Sequence, residues 1–389
     1  MATTKVTTDV IDMSGNTGGL VWAKGATGDQ PAVVDSTAGD LRENTTTFKT
    51  EVFNGTAWRN LKEALPPNLT VDYLIVAGGA AGGAWGGGGG AGGVRTSYGT
   101  NSPSTISGGS MESGVDLQDG TNYTVTVGVG GAAQARVAQM SRTVGASGGN
   151  SSITDGASIN IVSAGGGGGG NGFTPTTFNA AVSGGSGGGA ALTREIFVAG
   201  ASAVTSPVVQ GFAGGDSPNQ DPYPGGGAGG GAGGVGGNGA TAPTNVGGNG
   251  GIGCEVNIKG GTGNYYGGGG GGMFYGLGSS QPGLSSGGQG GGGGGARFVS
   301  GSNGSTGGAS NAVNGSPNTG GGGGAGGATI GTLYGGDTAS GGSGVVILRY
   351  PSSRSAALSG GAIGSVDQTI TGSTDKYAEI TASGTITFS

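Results

Sequence analysis

The sequence predicts an all-β chain with an irregular glycine-rich body: short strands plus packed polyglycine-type extended helices, with little or no α-helix. Three observations lead there. Glycine supplies 105 of the 389 residues, roughly four times its average share. Apolar, strand-like stretches such as residues 71–77 and 345–350 run straight into or out of the glycine runs, and a flexible linker has no use for them. From Gly225 to Tyr350 the only charged residues are Glu255, Lys259, Arg297, Asp337 and Arg349. So long an uncharged segment cannot all be solvated surface.

Residues 1–66 carry more charge and less glycine and read as an N-terminal β-module. Residues 40–44 and 49–53 make two strands joined by Thr45-Thr46-Thr47, and Asn54-Gly55 is a turn before a third run at 57–61. Glu63 and Pro66-Pro67 then mark a linker. The body, residues 67–351, opens with VDYLIVAGG. The same strand-to-glycine step recurs in TVTVGVGG (124–131), INIVSAGGGGGG (159–170) and IFVAG (196–200). It is reversed at the end, where GGSG feeds VVILRYP (345–351). The tail, residues 352–389, returns to ordinary alternation, with 377–381 and 385–388 around Ser383-Gly384 reading as a terminal hairpin.

The nearly pure runs at 224–240, 267–272, 287–296 and 321–328 need their own conformation. Thirteen prolines and the lack of a Gly-X-Y register exclude collagen. An α-helix is excluded because each interior glycine costs about 1 kcal/mol relative to alanine, and a twisted strand has no side chains to pack. The left-handed three-residue helix remains. Its N–H and C=O groups point outward, and without Cβ atoms such helices can lie side by side and bond to one another. Ordering each glycine costs roughly 0.5–1 kcal/mol beyond alanine, so a single helix cannot stand alone and only a bundle offsets the entropy.

Composition also excludes functions. A net charge of −6, pI near 4.6 and 15 scattered basic residues argue against a nucleic-acid partner. No stretch approaches the length of a membrane span, and the N-terminus lacks a secretory apolar region, so release by cell lysis suits the chain. Cys254, the lone cysteine, reads as a small buried hydrophobe. With no histidine, nucleophilic triads and most zinc sites fall away. VDYLIVAGGAAGG mimics a dinucleotide phosphate loop, but Ala77 replaces the first glycine and Gly86 to Gly93 cannot open a stable helix. No cofactor and no enzymatic activity are expected. Paired carboxylates for polysaccharide cleavage remain formally open among 21 acidic residues, with no pair singled out by spacing.

VDYLIVAGGAAGGAWGGGGGAGGVR, YTVTVGVGG and GGSGVVILRYP resemble the glycine-rich domain of phage tail fibres and related virion proteins, notably of cyanophages, over about residues 71–351. Residues 30–61 are similar to a small β-repeat of phage fibre proteins, with Gln30 and Glu43 departing from its usual arginine and tyrosine. The resemblance implies a virion localisation and a structural fibre or adhesin contributing to host-surface recognition. Residues 1–66 would then bind another virion protein, and the chain would act in a homo-oligomer, a trimer being favoured. A head-decorating or purely structural fibre is the alternative, a polysaccharide-degrading tail protein a more remote one.

Loops that break the glycine runs carry aromatics with no strand or helix face to explain them: Tyr223, Tyr265, Tyr266, Phe274, Tyr275, Phe298 and Tyr334. Tyrosine among Ser, Gly and Asn suits adaptable recognition of a surface glycan or protein. The competing reading is that these rings wedge the bundle. In DSPNQDPYP, Asp216, Asn219 and Asp221 could offer oxygen ligands to calcium, against the commoner role of a rigid polar turn.

Overall fold

The computed structural model describes residues 23–32, 35–47, 49–60, 69–134, 144–172, 178–193, 195–219, 224–241, 243–277, 284–300, 312–329, 334–335 and 337–389. The chain forms two compact units, Met1–Pro67 and Asn68–Ser389. The first is a four-stranded sheet, β1 (Ala23–Gly25), β2 (Leu41–Asn44), β3 (Lys49–Phe53) and β4 (Trp58–Asn60), in sequence order with β1 parallel to β2. Its inner face is polar apart from Phe53. Arg42 and Asn44 are buried beside Glu51, and Asn44 Nδ2 and Gln30 Nε2 donate to the two Glu51 carboxylate oxygens at 2.8 and 3.0 Å. The Arg42 guanidinium donates to the Gly25 and Ala26 carbonyls and lies 5.8 Å from the Trp58 ring centroid.

The second unit joins a β-sandwich to a bundle of extended glycine runs. Its strands are β5 (Leu69–Val76), β6 (Val94–Thr96), β7 (Val115–Leu117), β8 (Asn122–Thr126), β9 (Ser151–Thr154) and β10 (Asn160–Ser163). Short pairs follow: β11 (Asn171–Gly172) with β12 (Phe178–Asn179), β13 (Cys254–Glu255) with β14 (Tyr265–Tyr266), β15 (Phe274–Leu277) with β16 (Arg297–Ser300), and β17 (Ala328–Thr329) with β18 (Tyr334–Gly335). Then come β19 (Val345–Pro351), β20 (Ala356–Ser359), β21 (Ile363–Thr369), β22 (Asp375–Ala382) and β23 (Gly384–Phe388). One sheet runs β21-β22-β19-β5-β6 with β7 on β5, the other β10-β9-β8-β23-β20. Between them lie Val71, Tyr73 and Ile75 of β5, Leu348 and Tyr350 of β19, Tyr123, Ile153, Ile386 and Phe388. The alternate residues Leu74, Val76, Val345 and Ile347 pack on the other side against Ala232, Cys254, Val256, Ile258 and Tyr266 of the glycine-rich part. Over residues 73–76 and 345–348, β5 and β19 are buried on both faces, which is why those stretches are unbroken apolar runs.

The tail differs from its expected form. β22 pairs with β19 and β21, whereas β23 pairs with β8 and β20. Residues 377–388 therefore turn a corner from one sheet to the other and are not a hairpin, and the tail strands complete both sheets of the body. IFVAG is also not a strand; only Val198 bridges, to Ser217. Among the described residues the one α-helix, α1 (Pro103–Ile106), is a single turn capped by Ser102.

Strands lead directly into glycine runs, and the runs bond with a period of three. In residues 77–83, Ala77, Ala80 and Gly83 donate to Gly93, Gly90 and Gly87; Gly78 and Ala81 donate to Gly149 and Ala146; Gly79 and Gly82 donate to Gly342 and Ala339. Each third residue thus meets the same neighbour, as a three-residue helix requires. Run 87–93 is the axis. Its N–H groups reach runs 164–170, 226–233 and 320–326 at 2.8–3.0 Å, and its carbonyls accept from runs 77–83, 185–191 and 267–273. Six neighbours around one helix is a hexagonal array, and every N–H of the axis gains a partner without a β-ladder.

Candidate recognition face

The runs alternate in direction, so their ends gather at two levels. At the base they join the sandwich: β5 enters run 77–83, run 87–93 leaves into β6, and run 338–344 leaves into β19. The β13–β14 hairpin also lies there. Its loop buries Val256 and Ile258 on the sheet, and Lys259 Nζ stands 3.2 Å from the Glu379 carboxylate. Cys254 is buried, its thiol donates to the Ala232 carbonyl, and burial pushes its pKa up to about 12.

The opposite, open end holds residues 84–86, 192–193, 195–197, 217–219, 243–245, 274–277 and 327–329. Trp85 makes the first reversal at φ 59°, an uncommon conformation for a bulky residue, and packs on a buried cluster of Leu192, Met273 and Ala325. Phe274 is buried at the head of β15, with the Arg297 guanidinium 5.7 Å from its ring centroid. Beside them, Val198 and Ser217 exchange two backbone bonds of 3.0 and 2.8 Å, and Ser217 Oγ donates to the Gly225 carbonyl. Phe197, next to this clamp, is 59% exposed.

The candidate aromatics divide between the two ends. Phe274, Tyr275, Phe298 and Tyr334 lie on the short strands of the open end, and Tyr223 lies outside the described residues. Tyr265 and Tyr266 are at the base. Tyr266 is buried among the residues under the sheet, and burial raises its pKa; the raised pKa of Tyr265 has the neighbouring Glu255 carboxylate as its first cause. Tyr266 and Phe274 therefore act as wedges, because a buried ring offers no area to a ligand.

Of the cation candidates, Asp216 accepts from the Gly200 N–H and its own N–H donates to Asn238 Oδ1, so it works as a splice between runs. Asn219 is exposed and Asp221 lies outside the described residues. Among the described residues no three Asp, Glu or Cys side chains stand together as a metal site, and no helix is long and apolar enough to cross a membrane. Phe197 is not legible as exposed in the sequence, because IFVAG reads as a strand. Read with period three, Phe197 leaves the Val198, Ala201, Val204 row and faces outward.

A family model for a glycine-rich domain matches residues 53–351. No curated protein and no solved structure matches the chain. The match covers well over half of the 389 residues and both the strands and the runs they feed, and the chain belongs to the glycine-rich domain family.

Proposed function

We propose that the chain is a non-enzymatic structural component of a virion fibre that contributes to host-surface recognition through the open end of its glycine bundle. The observation that carries the reading is the separation of ends. The base is closed by two sheets and a hairpin that packs Val256, Ile258 and Tyr266 under one of them, whereas the open end collects the reversals, the exposed ring of Phe197 and the short strands bearing Tyr275, Phe298 and Tyr334. A rigid body that presents short loops at one end pre-organises a binding surface. The resemblance of residues 30–61 to a phage fibre repeat supports a role for residues 1–66 in joining another virion protein.

The test is binding of the labelled full chain to intact cells of candidate bacterial hosts, beside a chain ending after Leu61 and a full chain carrying Phe197→Ser. The reading expects the full chain to bind and to block infection, the short chain to bind virion components only, and Phe197→Ser to weaken cell binding. Association of both chains with virion components, with no cell binding by either, rejects recognition and leaves the head-decorating or purely structural role.

A further inference from the structure

Three neighbouring outer runs make one flat side of the bundle. Gly250 and Gly253 of run 246–253 donate to Ser286 and Gln289 of run 285–289, and Gly237 of run 234–240 donates to Asn249. On two of these runs every third residue carries a side chain that faces out: Val235, Asn238 and Thr241 on one, Val246, Asn249 and Ile252 on the other. Val235 is 64% exposed, Ile252 54% and Leu284, at the head of the third run, 49%. The fold does not require aliphatics there, since the equivalent rows elsewhere hold Ser147 and Asn150, or Ser340 and Ser343.

We propose that this side is the docking face for a second copy of the chain, side against side. Three properties point to a copy of itself. First, its ridges recur every third residue along runs held at one fixed spacing, and the surface on the page that reproduces both periods is the same face. Second, it is self-complementary in hydrogen bonding. The oxygens of Asn238 and Asn249 are engaged by the Asp216 and Ser286 N–H groups, which leaves their amide NH₂ groups as outward donors. The carbonyls of Val235, Asn238, Gly247 and Gly250 accept from no described donor. Third, it carries few of the charges that proteins place on exposed edges to prevent self-association. Between Val235 and Gln289 the only charged residues are Glu255 and Lys259, and Lys259 is paired with Glu379. Val129 and Val313 are also exposed, on the separate runs 127–131 and 312–316. A face that meets its own copy is two-fold and closes at a pair, in place of the trimer that the fibre resemblance implies.

This inference does not rest on host recognition, and its test uses no host cell. Sedimentation velocity on the full chain across a dilution series should show conversion from one chain to two. Val235→Asp combined with Ile252→Asp brings four carboxylates together in the pair and should weaken it by at least about tenfold. Both side chains point to solvent, so the thermal transition of the dilute variant should match the parent; a Val235→Ser, Ile252→Ser chain, which adds no charge, should pair with intermediate strength. Val129→Asp should leave pairing unchanged. A parent that stays monomeric, a species of three chains, pairing unaffected by the double aspartate, or loss of pairing in Val129→Asp would each overturn the proposal.

Discussion

Gly88, on the axis of the bundle, tolerates no side chain. A Cβ added there would lie 2.1 Å from the Gly270 carbonyl oxygen and 2.6 Å from its carbon, both backbone atoms held by their own bonds. Gly88→Ala must therefore push two runs apart and break bonds along both, and it should lose at least about 3 kcal/mol, the upper end for overpacked cores. At Gly234, on an outer run, the added atom would meet only Ile252 Cγ1 at 3.3 Å, so Gly234→Ala should melt within a few degrees of the parent. Thermal unfolding followed by circular dichroism compares the two, and equal melting would reject the close approach at the axis. Asp155 sets a different kind of limit. Its carboxylate accepts from the Ala157, Ser158 and Ile159 N–H groups and from Ser158 Oγ, which together hold its pKa down to about 2 from an ordinary 3.8. A depressed pKa means stabilisation that is present above the unfolded value and lost as protons are added. The 155–159 turn should thus loosen as pH falls from about 4 to about 2, seen as faster amide exchange at 157–159, and Asp155→Asn should abolish that dependence.

The depth of most glycine runs in the bundle was legible in their purity, although the pure run 291–296 is half-exposed at 291, 292 and 294. Runs 87–93, 165–170, 267–272 and 320–326 contain only glycine and alanine and are fully buried, while runs with a larger residue at every third position are outer. Three residues per turn leaves one row facing out on an edge helix, and that row alone can carry side chains. Asparagine in such rows extends the bonding pattern beyond the backbone: Asn150, Asn249 and Asn314 accept from the N–H groups of Gly165, Ser286 and Ser340 on adjacent runs. Asn249→Ala should cost about 1 kcal/mol and speed exchange at the Ser286 amide. Asn249→Asp, which keeps the oxygen, should preserve protection at that amide. The same period would have placed Phe197 outside, but a five-residue window of alternating apolar character also fits a strand, and no local signal separates the two. Nor could composition assign Tyr266 and Phe274 to the interior. Their burial depends on which runs meet at each end, and that is set by bonds between residues as far apart as Ala80 and Gly323.

At the scale of the whole molecule, the sandwich and the bundle are one folding unit, and the tail tests this. Residues 352–389 were legible as strands, but their partners were not, because pairings across the full chain leave no trace in local pattern. β22 lies between β19 and β21, and β23 lies between β8 and β20. Ending the chain at Pro351 removes Ala378 and Ile380 from one sheet and Ile386 and Phe388 from the other. Tyr350, whose ring meets Phe388 edge-on at 5.1 Å, then loses its cover, and the backbone edges of β19 and β8 are opened to solvent. Removing a buried phenylalanine side chain alone costs about 3–5 kcal/mol, against a total stability of only about 5–15 kcal/mol for a typical domain. The glycine runs cannot make up the difference, since each pays a large ordering entropy and gains its bonds only when its neighbours are in place. A chain ending at Pro351 should therefore be insoluble or lack a cooperative thermal transition, with the runs exposed to proteases together with the strands. A soluble product whose transition matches the full chain would instead make the bundle self-supporting and the tail an accessory.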